Sequence, residues 1–374
     1  MTPRANYAAF VDNIFGAGSA KFDIAKTDTN NVVGALASPQ RFAEFTANFE
    51  ERLRRINAAI QSDPSLRKGV IGAVNRVAED EWDGAYAELC ALDYFLAASL
   101  TGPGNIELDH TVPASDTLAS EMGMQNANHD MHLKSLGVSM DTKNLSDKTR
   151  QILDGIFDEF RKAKGIKSMM IMPTYDHDDD FTPYASNRPQ LLAELVSGVD
   201  VNGRTPRLTS QVIPGLSYEF AWNAGVYISE GSYSPVEHAT RHHLLLFGHI
   251  KKFSRTEPTA IVYVMFPWSG ETAFFGFGKD TFQTEFGRQF FNNYLGSADL
   301  GKSFNKKIKS NITAADVTRH LSGVIFLDDK SVTAKDPKQI NVEASFVWNK
   351  NAVLSLVGHP LDVELRRRGA VDRG

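Results

Sequence analysis

The spacing of apolar and polar residues changes several times along the chain, and each change predicts an element. From residue 129 to 145 the period is two. Met131 and Leu133 alternate with Asp130 and His132, Gly137 interrupts, and Val138 and Met140 then alternate with Ser139 and Asp141. This predicts two short strands joined by a tight turn over residues 134–137. Upstream, residues 105–112 alternate in the same way and predict a third strand beside the hairpin. A helical period appears where Phe42, Phe45, Phe49, Leu53 and Ile56 form one stripe. It predicts a helix from Pro39 to about Gln61 with Ser38 as N-cap. A second helix starts at Asp63 or Ser65 and runs through Val70, Val74 and Val77. A third, within residues 78–100, carries Ala85, Leu89, Leu92 and Leu96 at helical spacing. Residues 1–37 have no strong period and read as a loosely structured arm with a short helix near residues 7–15.

After the hairpin, Ser146 caps an expected amphipathic helix over residues 147–164, with Ile152, Ile156, Phe157 and Phe160 inward and Gly165 ending it. Residues 167–174 read as a buried strand, reached from the hairpin through that helix as in an ordinary βαβ crossover. Asn187 caps a helix to Val196, and residues 207–233 alternate as two or three strands. Ser234-Pro235 opens a helix over residues 236–253. Residues 259–268 read as a central strand, Phe274, Phe275 and Phe277 as a short apolar one, and residues 281–295 as a helix. Residues 314–320 are helical, 323–327 and 341–348 are strands, and 353–357 is a short apolar segment. Arg366, Arg367 and Arg368 read as a solvated end.

Composition places the chain among soluble globular proteins: 374 residues, 42% hydrophobic, 23% charged. Cys90 is the single cysteine, so no intramolecular disulfide forms, and a reducing cytoplasm is expected. Residues 1–20 lack a signal-peptide pattern. No window approaches about 18 consecutive apolar residues, so no membrane span or membrane partner is expected. The net charge of -5 argues against a non-specific basic binder while leaving room for local basic patches.

The hairpin holds the strongest chemistry. Residues two apart on a strand share a face, so Asp141 and Lys143 point the same way, and Asp130 on the neighbouring strand reaches the same place. Two carboxylates with an ammonium are expensive to gather unless a cation and a charged substrate share them. Carboxylate pairs suit a hard divalent ion such as Mg²⁺.

The spacing Asp130-x(10)-Asp141-Thr142-Lys143 over a strand-turn-strand resembles the PD-(D/E)xK nuclease superfamily, with Asp141-Thr142-Lys143 as the (D/E)xK element. His129 stands where the family has proline. The resemblance covers residues 88 to about 174. It implies an α/β protein with a restriction-endonuclease-like core, a central mixed sheet flanked by helices. The core is expected over residues 78–268, with an N-terminal helical arm at 1–77 and a mixed α/β C-terminal extension at 269–374. It also implies Mg²⁺-dependent phosphodiester hydrolysis, Mn²⁺ being a substitute. Asp130 and Asp141 would bind the metal, helped by Glu88 of the preceding helix and by the Thr142 carbonyl, and Lys143 would position the attacking water. The implied partner is nucleic acid, DNA before RNA, and the setting by analogy is restriction or phage defence. Cutting both strands of a duplex calls for a homodimer, and no interface is legible.

Other features carry weaker signals. His238 and His242, four apart on the 236–253 helix, have zinc-pair spacing, but no third ligand is placeable and the helix reads as a basic face. The acidic run at Asp176–Asp180 lacks the glycine and distant glutamate of a calcium loop and reads as solvated. The basic segment 301–309 reads equally as a nucleic-acid backbone contact or an exposed loop. Glu107 and Asp109 read as solvent-facing, and Gln151 carries a weak family echo. The alternative from another class is a catalytically silent nucleic-acid-binding or scaffold protein that keeps the fold.

Overall fold

A computed structural model describes residues 2–26, 30–97, 103–145, 148–166, 169–175, 182–222, 234–266, 278–296 and 311–374. They form two compact units: residues 1–145 with 235–374, and residues 146–234. These bounds differ from the divisions at 77 and 268 read from the sequence.

The larger unit begins with five helices: α1 (Pro3–Phe15), α2 (Asn31–Leu36), α3 (Ala43–Ile60), α4 (Pro64–Arg76) and α5 (Trp82–Leu96). The expected arm is therefore α1 and α2, and both are sewn into the main core through Tyr7, Val11, Val32 and Val33. The stripe on α3 is buried as expected at Phe45, Phe49, Leu53 and Ile56. Its start is not: the helix begins at Ala43 with Phe42 as N-cap, and Ser38 instead closes a turn through its carbonyl. Asp63 caps α4, its carboxylate accepting the Leu66 N–H at 2.9 Å, with Pro64 at the first helical position.

Next come β1 (Ile106–Pro113), β2 (Asn126–Leu133) and β3 (Val138–Asn144), the expected antiparallel strands. After the smaller unit, α9 (Pro235–His242) leads into a 3-10 helix, His243–Lys252, then β7 (Thr259–Met265) and α10 (Lys279–Asn292). The chain closes with α11 (Ala314–Arg319), β8 (Gly323–Asp329), β9 (Val342–Trp348), α12 (Pro360–Arg367) and β10 (Val371–Asp372). The seven strands form one mixed sheet in the order β1-β2-β3-β7-β8-β9-β10. β7 is parallel to both β3 and β8, and β9 is antiparallel to β8. The N-terminal helices cover one face through Met131, Met140, Val262 and Ile325. The 3-10 helix, α10 and α11 cover the other through Ile261, Tyr263, Val324 and Phe326. Both faces of β7 are covered, and every residue in it is buried, which is why it reads as an unbroken apolar run.

The smaller unit holds α6 (Lys148–Lys164), β4 (Met170–Thr174), α7 (Thr182–Ser186), α8 (Arg188–Gly198), β5 (Arg207–Thr209) and β6 (Ser217–Ala221). Its antiparallel sheet runs β4-β6-β5 over a core of Phe157, Phe160, Leu191 and Tyr218. This corrects the strand order read from the sequence. β4 is not the parallel neighbour of the hairpin reached through α6; that place belongs to β7. An apolar run announces a buried strand without saying which sheet buries it.

One further correction concerns the C-terminal part. Residues 236–253 are a short α-helix followed by a 3-10 helix, not one α-helix. Arg366 and Arg367 are exposed as read, pairing at the surface with Asp362 and Asp372 and with Glu364, whereas Arg368 stacks 3.8 Å over the Tyr94 ring while donating to its carbonyl. Segment 353–357 is not a strand. The acidic run 176–180, the basic segment 301–309, Phe274, Phe275, Phe277 and the Gln151 side chain lie outside the described residues. No described helix is long and apolar enough to cross a membrane.

Candidate functional site

The hairpin register sets the two aspartates face to face. Met131 pairs with Met140, so Asp130 and Asp141 occupy the next opposed positions. The Thr142 N–H donates to Asp130 Oδ2 at 2.8 Å and pins that carboxylate to β3. Lys143, two residues after Asp141, brings its Nζ to 2.9 Å from Asp141 Oδ2 and 3.4 Å from Asp130 Oδ2. The structure thus gathers the three motif residues. Thr142 is buried, and its Oγ1 has no hydrogen-bond partner among the described residues.

A second ammonium enters from the opposite element. Lys252, the last residue of the 3-10 helix, places Nζ on Asp141 Oδ1 and 3.4 Å from Asp130 Oδ1. His249, one 3-10 turn earlier, sets Nδ1 3.6 Å from Asp141 Oδ2. The end of that helix is fixed to β2 by His129, whose Nε2–H donates to the Lys252 carbonyl at 2.6 Å. Sequence reading missed Lys252 and His249. Nothing in the run Lys251-Lys252 distinguishes the lysine that turns inward from its neighbour.

The electrostatics follow from burial and these contacts. Burial raises the Asp130 pKa, and the Asp141 charge raises it further. Burial acts upward on Asp141 as well, but Lys143 and Lys252 outweigh it and hold the carboxyl below the usual aspartate range. Burial disfavours the Lys143 charge, and Asp141 and Asp130 more than restore it. His249 is pushed down to about 3 by burial and by Lys143 and Lys252, so its imidazole is neutral.

Glu88 stands beside this group, not within it. Arg76 holds its carboxylate. Among the described residues, Glu88, Asp130 and Asp141 do not bring three ligand atoms within 4.8 Å of one another. Its pKa is raised to about 7 by burial, with Arg76 opposing and Asp130 and Asp109 adding. A raised carboxyl contributes stability fully below its unfolded value and loses it as pH rises through the folded one. Glu88→Gln removes that loss. It should match the wild type below pH about 4 and gain on the order of 1–3 kcal/mol at pH 8. Urea denaturation at both pH values checks this, and a pH-independent difference would refute it.

His238 and His242 stack with ring centroids 5.3 Å apart, and the His242 Nδ1–H donates to the His238 carbonyl at 2.9 Å. Neither belongs to a three-ligand group among the described residues.

The chain is an α/β protein built on a mixed seven-stranded sheet flanked by helices, with two carboxylates and two ammoniums converging at β2, β3 and the end of the 3-10 helix. No protein-family model, no curated protein and no solved structure matches it.

Proposed function

We propose that this chain is a metal-dependent nuclease with a restriction-endonuclease-like core, hydrolysing phosphodiester bonds at Asp130, Asp141 and Lys143. The observation that carries the reading is that both aspartates already share a cation. The Lys252 ammonium touches Oδ1 of Asp141 and lies 3.4 Å from Oδ1 of Asp130. Carboxylate oxygens turned to a common point are the donor set of a hard divalent ion, so the residues fit one. Asp130 and Asp141 would hold Mg²⁺, or Mn²⁺ in its place, with the Thr142 carbonyl beside them and Glu88 acting through water. Bound there, the ion supplies a more acidic water and neutralises charge on a phosphate oxygen. Lys143, kept charged by both aspartates, orients the attacking water and stabilises charge developing on phosphorus.

With Lys252 in place the two carboxylates and two ammoniums cancel. Entry of a divalent ion therefore requires Lys252 to turn away, and a phosphodiester is the anion that would receive it. Removing an ammonium this close relieves on the order of 1–4 kcal/mol of repulsion on the ion. Lys252→Ala should thus bind Mn²⁺ at least about tenfold more tightly by calorimetry. Unchanged or weaker binding would show that Lys252 does not compete with the ion.

The same contact favours the second reading, a catalytically silent nucleic-acid-binding or scaffold protein in which Lys252 permanently replaces the metal. Cleavage of supercoiled plasmid and of single-stranded RNA, each with Mg²⁺, Mn²⁺ or EDTA, decides between them. Duplex DNA is the substrate expected first, cut on both strands by a homodimer in the cytoplasm, in restriction or phage defence. Metal-dependent cutting lost in Asp141→Ala and Lys143→Ala supports the nuclease. Binding without cutting supports the silent protein, and cutting that survives both substitutions removes the hairpin from the chemistry.

A further inference from the structure

We infer that Glu107, His110 and His132 form a second, separate site for a borderline divalent metal ion of the zinc class. One ligand atom from each lies within 4.8 Å of the other two. Two imidazoles and a carboxylate, with positions left open, are a zinc-type donor set, unlike the all-oxygen set at the aspartates.

Three features of β1 and β2 build the site. Glu107 lies directly opposite His132 in the antiparallel ladder. His110 is three residues along β1, so in a regular strand it would point away from Glu107. Asp109 between them has φ +54°, in the left-handed region that aspartate tolerates better than most residues. This break in alternation brings His110 Nδ1 to 3.3 Å from Glu107 Oε2 and stacks the His110 ring 4.3 Å from that of His132.

The surroundings of His132 match those of a metal ligand. Its Nε2–H donates to Glu257 Oε2 at 3.1 Å, and Ser139 in turn donates to the other oxygen of Glu257. That bond fixes the tautomer and leaves the lone pair on Nδ1. His132 Nδ1 is buried and has no hydrogen-bond partner among the described residues. A histidine with one ring nitrogen held by a carboxylate and the other unpaired is the usual arrangement around zinc. Glu107 is 45% exposed in its side chain, which leaves it room to turn from His110 onto an ion.

The test is titration of the full chain with Co²⁺, followed by its visible ligand-field bands, and with Zn²⁺ by competition. One ion per chain is expected, with at least about a hundredfold loss of affinity in His110→Ala and His132→Ala. Glu257→Gln, which removes no ligand, should cost about 10- to 100-fold. Asp141→Asn should leave the bands unchanged, which separates this site from the aspartate site whatever becomes of the nuclease reading. Absence of bands in the wild type, or bands that persist in both histidine variants or vanish in Asp141→Asn, would overturn the assignment. Circular dichroism of each variant distinguishes lost ligation from lost folding.

Discussion

Arg52→Ala should cost about 3–5 kcal/mol of folding stability, the usual penalty for stripping one partner from a buried ion pair. Arg52 sits in α3 with 2% of its side chain exposed, and Asp329 at the end of β8 is fully buried. The guanidinium meets both oxygens of Asp329, at 2.9 Å and 3.1 Å, and donates to the Tyr86 hydroxyl at 2.8 Å. Tyr86 passes its own proton toward Asp329 at 2.5 Å, and Arg52 Nε faces Asp93 at 3.6 Å. Burial pushes the Asp329 pKa upward, yet Arg52 and these hydrogen bonds hold it below the usual range. Without Arg52 the carboxylate is left charged in an apolar core, or must take up a proton. The network ties α3 and α5 to β8, which lies next to β7 and one strand from the hairpin, so the site should loosen with it. Urea denaturation measures the loss. Combining Arg52→Met with Asp329→Asn should recover part of it, because no unpaired charge then remains. A shift under about 1 kcal/mol in Arg52→Ala would mean that the core tolerates the bare carboxylate.

The hairpin was legible in the sequence because its signal is local. Period-two alternation, a glycine in the turn and Asp-x-Lys on one strand all fall within residues 129–145, and Gly137 has φ +58° as the turn requires. The α3 stripe and the Asp63 cap were legible for the same reason. What the sequence did not disclose depends on contacts across long stretches of chain. β4 and β7 are both short apolar strands after helices, and only tertiary packing assigns one to the small antiparallel sheet and the other to the centre of the large one. The Lys252 side chain meets Asp130 and Asp141 across 122 and 111 positions of sequence. Its inward turn follows from the 3-10 geometry, which shifts the face presented by each residue relative to the α-helix expected there. The arm was legible in part: Tyr7, Val11 and Ile14 are buried at helical spacing in α1, where a short helix was expected near residues 7–15, whereas the six residues of α2 are too few to show a period. The Glu107–His110 contact was hidden by the left-handed Asp109, since strict alternation sends those side chains to opposite faces.

On the nuclease reading proposed above, Asp141→Asn should lower metal-dependent cleavage by about 10²–10³-fold at least, the scale on which a single group stabilising transition-state charge is measured. The change is isosteric, so what it removes is the charge. Asp141 is the most buried carboxylate of the group and the one both lysines contact most closely, at 2.9 Å from Lys143 and more closely still from Lys252. Without that charge the proposed ion would lose a ligand, and Lys143 loses the closer of its two carboxylate partners. Asp141→Glu should restore part of the rate, because the resembled motif accepts either acid at this place, whereas a purely structural aspartate would not be rescued by the longer chain. The two variants also differ in pH dependence. The folded pKa of Asp141 is depressed, so its stabilising contribution is present above the unfolded aspartate value near 4 and lost as pH falls through the folded one. The stability gap between wild type and Asp141→Asn should therefore be full at pH 7 and close below pH 4. Equal cleavage by wild type and Asp141→Asn, with the pH-dependent gap intact, would leave the aspartate a structural role alone and transfer the chemistry elsewhere in the chain.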